Sequence, residues 1–209
     1  MDADDTFTAT RRSLHAVAEL LLAGPQHAAC GRITLRPVSG GFGTTHAPDL
    51  RVEGTAVVAG DRRAELDGRT ARSVADELGI TIGDLSSVYA EGSGSGPDDL
   101  LAVDAAAAER MAEAFALGDA ALRKVAGGHV PVLWPEHFDL AVALDDERLN
   151  LGVSPGDGTV AQPYMYVGPW EPPPTDDFWN QSYGVARPLG ADVAEVVGFF
   201  TEARTRLNG

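Results

Sequence analysis

Histidine, carboxylates and aromatic rings crowd one stretch of this 209-residue chain, from Trp134 to Tyr183. It opens on His137-Phe138-Asp139. On a strand, residues two apart share a face, so an imidazole and a carboxylate so spaced can ligate one metal or relay one proton. Non-haem iron oxygenases take a second histidine well downstream of such a pair, and the last histidine here is His137 itself. An upstream His15, His27, His46 or His129 could take that place only in a different topology, so a hydrogen-bonded strand histidine is preferred and a metal is left undecided. As an acid–base group, His137 would be oriented by Asp139 or Asp157, since histidine titrates near neutrality.

All three tryptophans (Trp134, Trp170, Trp179) and three of the four tyrosines (Tyr164, Tyr166, Tyr183) fall in the same stretch. Tyr and Trp carry an apolar body with a polar tip, which suits pocket walls and interfaces alike. Trp134, Tyr164, Tyr166, Trp170 and Trp179 are the expected walls, with Glu136 and Asn180 as polar contacts to a ligand. The competing reading is that these rings pack the core beneath a long proline-rich loop.

Three other motifs lose their chemistry on inspection. Gly152-Val153-Ser154-Pro155-Gly156 has the G-x-S-x-G spacing, but Gly156-Asp157-Gly158 reads as a turn rather than a helix, and no histidine follows. Ser73–Thr81 resembles the start of a helix-turn-helix, yet no Lys or Arg occurs between Arg72 and Arg110 to grip phosphate. Gly40-Gly41-Phe42-Gly43 lacks the G-K-[ST] ending of a phosphate loop and reads as a mobile connection.

Composition narrows the partners. The net charge of −15 is uneven: residues 1–91 carry 9 basic and 13 acidic groups (−4), residues 92–209 carry 7 and 18 (−11). Such a field repels nucleic acid and anionic lipid. No apolar run nears the roughly 20 residues of a membrane span. The acidic start Met1-Asp2-Ala3-Asp4-Asp5 and the single cysteine, Cys30, give the expectation of a cytoplasmic protein.

The elements that must hold these residues follow from periodicity. A helix is expected over 10–23, with Leu14, Val17, Leu21 and Leu22 as its stripe, ended or kinked at Gly24-Pro25. Strands are expected at 32–36, 50–58 and 62–66, the last two joined by an Ala59-Gly60-Asp61 turn. Thr70 should cap a helix stopped at Gly79, and Asp104 a longer one closed by Gly127-Gly128. Strands at 138–144, 149–153 and 163–167 precede a last helix over 190–207. Without βα alternation, the order predicts a single α+β domain of antiparallel sheet and about four helices, with 92–97 as a candidate internal boundary.

Leu133-Trp134-Pro135-Glu136-His137-Phe138-Asp139, Gly152-Val153-Ser154-Pro155-Gly156-Asp157, Pro163-Tyr164-Met165-Tyr166-Val167-Gly168-Pro169-Trp170 and Phe178-Trp179-Asn180 resemble hypothetical proteins of actinobacteria. Leu14–Glu19 and Gly40–Thr44 belong to the same likeness, which spans most of the chain. The W-P-x-H-F-D block is also similar to a bacterial domain family of unknown function. The resemblance implies a self-contained bacterial domain and carries no catalytic residue or cofactor. The expectation is a small-molecule-binding domain acting without a cofactor, as an isomerase, cyclase or hydrolase type. A protein-interaction or scaffold domain is the alternative, and self-association is left open.

Overall fold

The computed structural model describes residues 3–174 and 176–208. The fold is α+β, with ten strands among the described residues and antiparallel pairing in every ladder within its two compact units. The first unit comprises residues 1–113 and 133–138, the second 114–132 and 139–209. The 92–97 stretch lies inside the first unit, whereas one division between them falls within a helix. No helix among the described residues is long and apolar enough to cross a membrane.

The first unit opens with α1 (Ala3–Val17), a π-helical turn (Ala18–Ala23) and α2 (Gly24–Cys30). The helix starts seven residues before the expected Thr10, because Phe7 extends the Leu14 stripe by two turns and is buried with it. Pro25 explains the π turn. The Gly24 N–H reaches back five residues to Glu19 O, and Pro25 has no N–H to continue the series. The carbonyl of Leu20 is instead satisfied by the Gly83 N–H at 3.0 Å.

Strands β1 (Leu35–Val38), β2 (Gly41–Thr44), β3 (Leu50–Glu53), β4 (Ala56–Ala59) and β5 (Arg62–Glu65) then form a meander, which the π turn covers at β1 to β3. Two expectations change here. The glycine segment 40–43, read as a mobile connection, supplies the buried strand β2. A Cβ at Gly41 would lie 2.2 Å from Val52 O, so glycine is what admits the neighbouring strand. The expected strand 50–58 is two strands, turned at Gly54 in a left-handed conformation (φ 61°).

Helix α3 (Ala71–Leu78) matches its expectation: Thr70 and Ser73 form a reciprocal cap and Gly79 ends it at φ 67°. No helix occupies 82–89, so the helix-turn-helix likeness ends with α3. Asp104 caps α4 (Ala105–Val125) by accepting from the Ala107 N–H at 2.9 Å. The short strand β6 (Val132–Trp134) pairs Leu133 with Leu35 of β1.

In the second unit, β7 (Asp139–Leu144), β8 (Leu149–Ser154), β9 (Tyr164–Pro169) and β10 (Val185–Pro188) form a meander. Helix α5 (Val193–Asn208) buries Val196, Phe200 and Ala203. Each fully buried aliphatic or Phe side chain here contributes roughly 1.5–3 kcal/mol. Gly118 lets α4 approach β8: a Cβ there would lie 2.9 Å from that of Val153. Arg204 of α5 donates to Val125 O at the end of α4 (3.1 Å) while it pairs with Glu147 in the β7–β8 turn.

Candidate functional site

The H-x-D pair is not a strand pair. Phe138 adopts φ 51°, which turns the chain, so β7 begins only at Asp139. His137 lies on the preceding turn of the first unit with its side chain 58% exposed, whereas Asp139 starts the second unit and is 6% exposed.

Asp139 takes part in a buried phenol–carboxylate network. The Tyr166 hydroxyl donates to its Oδ2, and Tyr166 is seated over Gly152. Burial, followed by the Asp139 charge, pushes the Tyr166 phenol well above its usual range, so it stays a donor. Asp157 is a second such centre. Its Oδ1 accepts from the N–H groups of Thr159 and Val160 at 2.6 and 2.7 Å, and its Oδ2 accepts from the Tyr164 hydroxyl at 2.6 Å. Burial and Asp157 raise the Tyr164 phenol too. The rings of Tyr164, Tyr166 and Tyr183 lie 6.1 and 6.3 Å apart in succession. Both carboxylates serve as acceptors that fasten strands and a turn.

The remaining expected walls divide between core and surface. Trp179 is 9% exposed and packs edge-on against Phe178 at 5.1 Å. Asn180 clips β10 through two bonds to the Ala186 backbone, at 3.0 and 3.1 Å. Trp170 is 47% exposed, with the Arg148 guanidinium 5.6 Å over its ring and its indole N–H donating to Asn150 at 3.3 Å. Ser154 ends β8, is buried, exchanges hydrogen bonds with the Gly156 backbone and also has the Tyr164 phenol as a partner; no helix follows it, in keeping with the turn reading of 156–158.

A second constellation, within the first unit, joins Glu136 and His137 to His15, weighed from the sequence only as an upstream metal ligand, and to Glu19, Tyr89 and Ser93, which carry no role in that reading. His15 and Glu19 stand one turn apart, Glu19 inside the π turn. Such turns recur at functional sites. His15 stacks on Phe138 (5.3 Å, 8° between planes), and its Nε2–H donates to Pro135 O at 2.6 Å. That bond fixes the tautomer, since a carbonyl only accepts. Burial holds the imidazole below its usual value, against the raising influence of Glu19 and Pro135. Glu19 accepts from Tyr89 Oη (2.9 Å), Ser93 N (3.0 Å) and Ser93 Oγ (2.5 Å).

His137 lies 3.9 Å from Glu91 and 4.0 Å from Glu136. Burial pushes the Glu136 carboxyl upward, partly offset by His137. Trp134, on β6, is half-buried. The π turn and the segment 83–95 line a surface cleft of about 460 Å³ whose side chains include Glu19, Asp84, Ser86, Tyr89 and Glu91. Among the described residues, no three His, Cys, Asp or Glu side chains converge as a metal would require.

The signals for this constellation were the i, i+4 spacing of His15 and Glu19 and the run Tyr89-Ala90-Glu91-Gly92-Ser93, with Tyr89 the one tyrosine outside the aromatic segment. Neither signal states that residues 70 and more apart meet. Compared with protein-family models, curated proteins and solved structures, the chain matches none of them.

Proposed function

We propose that the protein binds a small molecule in the cleft beside the π turn, and that its chemistry is cofactor-independent proton transfer of the isomerase, cyclase or hydrolase type. The observation that carries this reading is His137, exposed and set between Glu91 and Glu136 at 3.9 and 4.0 Å, close to a cleft walled by Tyr89 and Glu19. Histidine and glutamate are the side chains most used as general acids and bases, and burial pushes the Glu136 carboxyl upward beside His137. Glu19 is committed to Tyr89 and Ser93, so it holds the wall rather than transferring protons.

The reading moves the working groups from the middle of segment 134–183 to its first residues. Asp139, Asp157, Tyr164 and Tyr166 then keep the second unit in shape. A cytoplasmic setting, with no nucleic-acid or membrane partner, belongs to the same proposal and is supported by the charge of −15. The alternative, an interaction domain, draws on Trp170 and Tyr183, exposed aromatic residues of the second unit.

A thermal-shift screen of the full chain against a metabolite library tests the choice. A bound ligand at 100 times its dissociation constant adds about 2.7 kcal/mol of stability. The His137→Ala and Glu136→Gln variants should fold normally and lose affinity or turnover. Unchanged binding in both would remove the proposed site.

A further inference from the structure

We infer that His15 is the positioning residue of the proposed site: it clamps the turn 135–138 at both ends and so sets where Glu136 and His137 stand. This deepens the proposed function and rests on it. The His15 Nε2–H donates to Pro135 O at 2.6 Å, at the first residue of the turn. Its ring lies nearly parallel to that of Phe138, the last residue of the turn, with 8° between planes and 5.3 Å between centroids. The two residues between those holds are Glu136 and His137.

The turn needs such a hold. Phe138 has φ 51°, a left-handed conformation that a bulky residue keeps only where its surroundings impose it. His15 stacks on its ring, and Phe42 of β2 meets that ring at 77° and 5.3 Å. The working side chains meet their neighbours more loosely. His137 stands 4.0 Å from Glu136 and 3.9 Å from Glu91, beyond hydrogen-bond length. Their mutual geometry is therefore inherited from the backbone of the turn.

His15 is itself firmly seated. It stands in the last turn of α1 with its side chain 16% exposed. Its Nε2–H is spent on Pro135 O, so the ring serves the turn as a donor. Glu19, four residues on, holds the cleft wall through Tyr89 and Ser93. Neighbouring helical turns thus place both the acid–base pair and the wall. Groups that exchange protons with a substrate need support of this kind, because a misplacement of about 1 Å forfeits most of the rate.

Nuclear magnetic resonance of the full isotope-labelled chain tests the clamp without a ligand. In the parent protein the His15 Nε2–H proton should be resolved, exchange slowly with water and show an Overhauser contact to the Glu136 backbone. A rapidly exchanging proton there would overturn the clamp even if no variant folds. His15→Phe keeps a ring over Phe138 and removes the donor. The Overhauser contacts of the His137 ring with the Glu136 and Glu91 side chains should then be lost, while the Tyr89 and Ser93 amide resonances stay in place. His15→Gln, whose amide N–H can reach Pro135 O, should restore them. A merely structural His15 would lower stability in both variants without this split. Unchanged His137 contacts in the Phe variant would overturn the inference. A metabolite screen without hits removes the proposed function and leaves these readings standing, whereas a failed clamp leaves Glu136 and His137 open to the screen.

Discussion

Gly24 and Gly83 touch backbone to backbone: a Cβ on Gly83 would lie 2.1 Å from Gly24 Cα, and one on Gly24 would lie 2.5 Å from Gly83 Cα. The contact delivers the Gly83 N–H to Leu20 O, the carbonyl left over by Pro25. Gly83→Ala is therefore expected to destabilise the protein by about 1–3 kcal/mol, through overpacking and loss of that bond. Urea denaturation measures it. A change below about 0.5 kcal/mol, the usual range for surface substitutions, would show that the two segments can part freely.

Glu19 gathers the opposite side of the same segment. Glu19→Gln keeps the shape but offers one acceptor oxygen to three donors. A loss of about 1.5–3 kcal/mol is expected, the range of a hydrogen bond to a charged group. The Ser93 amide should also exchange its hydrogen much faster than in the parent protein. Retained protection at Ser93 would mean that the loop is held by something else.

Helix α4 was legible because Met111, Phe115, Gly118 and Leu122 repeat at helical spacing behind an Asp104 cap, and α3 because Thr70 and Gly79 mark its ends. Local chemistry set those elements, so local reading found them. Strand β2 was not legible, since its glycines look like a loop until β3 is seen against them. Strand β10 is four residues long and ends in Pro188, a residue a sheet tolerates at such margins. The H-x-D pair failed through one dihedral, the positive φ of Phe138, which residue type does not announce. The Glu19 cluster was hidden for another reason: its partners come from sequence positions 70 and 74 residues away.

His15 gives a pH dependence with a definite sign. Its folded value lies below the ordinary 6.5, because burial disfavours the charged ring. As pH falls below about 6.5, the unfolded chain takes up a proton that the folded chain refuses, so stability declines. Glu136 acts oppositely: with a folded value above 4.5, it costs stability as pH rises through that range. His15→Gln should therefore flatten the loss of stability on going from pH 7 toward pH 5. Thermal unfolding of both proteins across that range checks it, and parallel curves would count against a buried neutral His15.

The second unit is expected to respond sharply at Gly152 and weakly at Trp170. A Cβ on Gly152 would lie 2.3 Å from Tyr166 Cζ, so Gly152→Ala should displace the ring and cost about 1–3 kcal/mol. Tyr166→Phe removes the donor to buried Asp139, with a similar cost of about 1–3 kcal/mol. Trp170→Ala, at an exposed ring, should change stability by no more than about 0.5 kcal/mol. Chemical denaturation of the three variants ranks them. A Trp170 variant as damaged as the Gly152 variant would mean that the exposed indole is structural after all.

The bonds from Tyr89 and Ser93 to Glu19 have a kinetic consequence. Contacts that span so much chain close large loops, and their entropy is lost before the contact is gained. Helices such as α3 can form from their own neighbours, but the wall beside the π turn exists only once residues 19 and 93 have found each other. A nascent or partly folded chain thus has no cleft to offer, and ligand capture would report completed folding of the first unit.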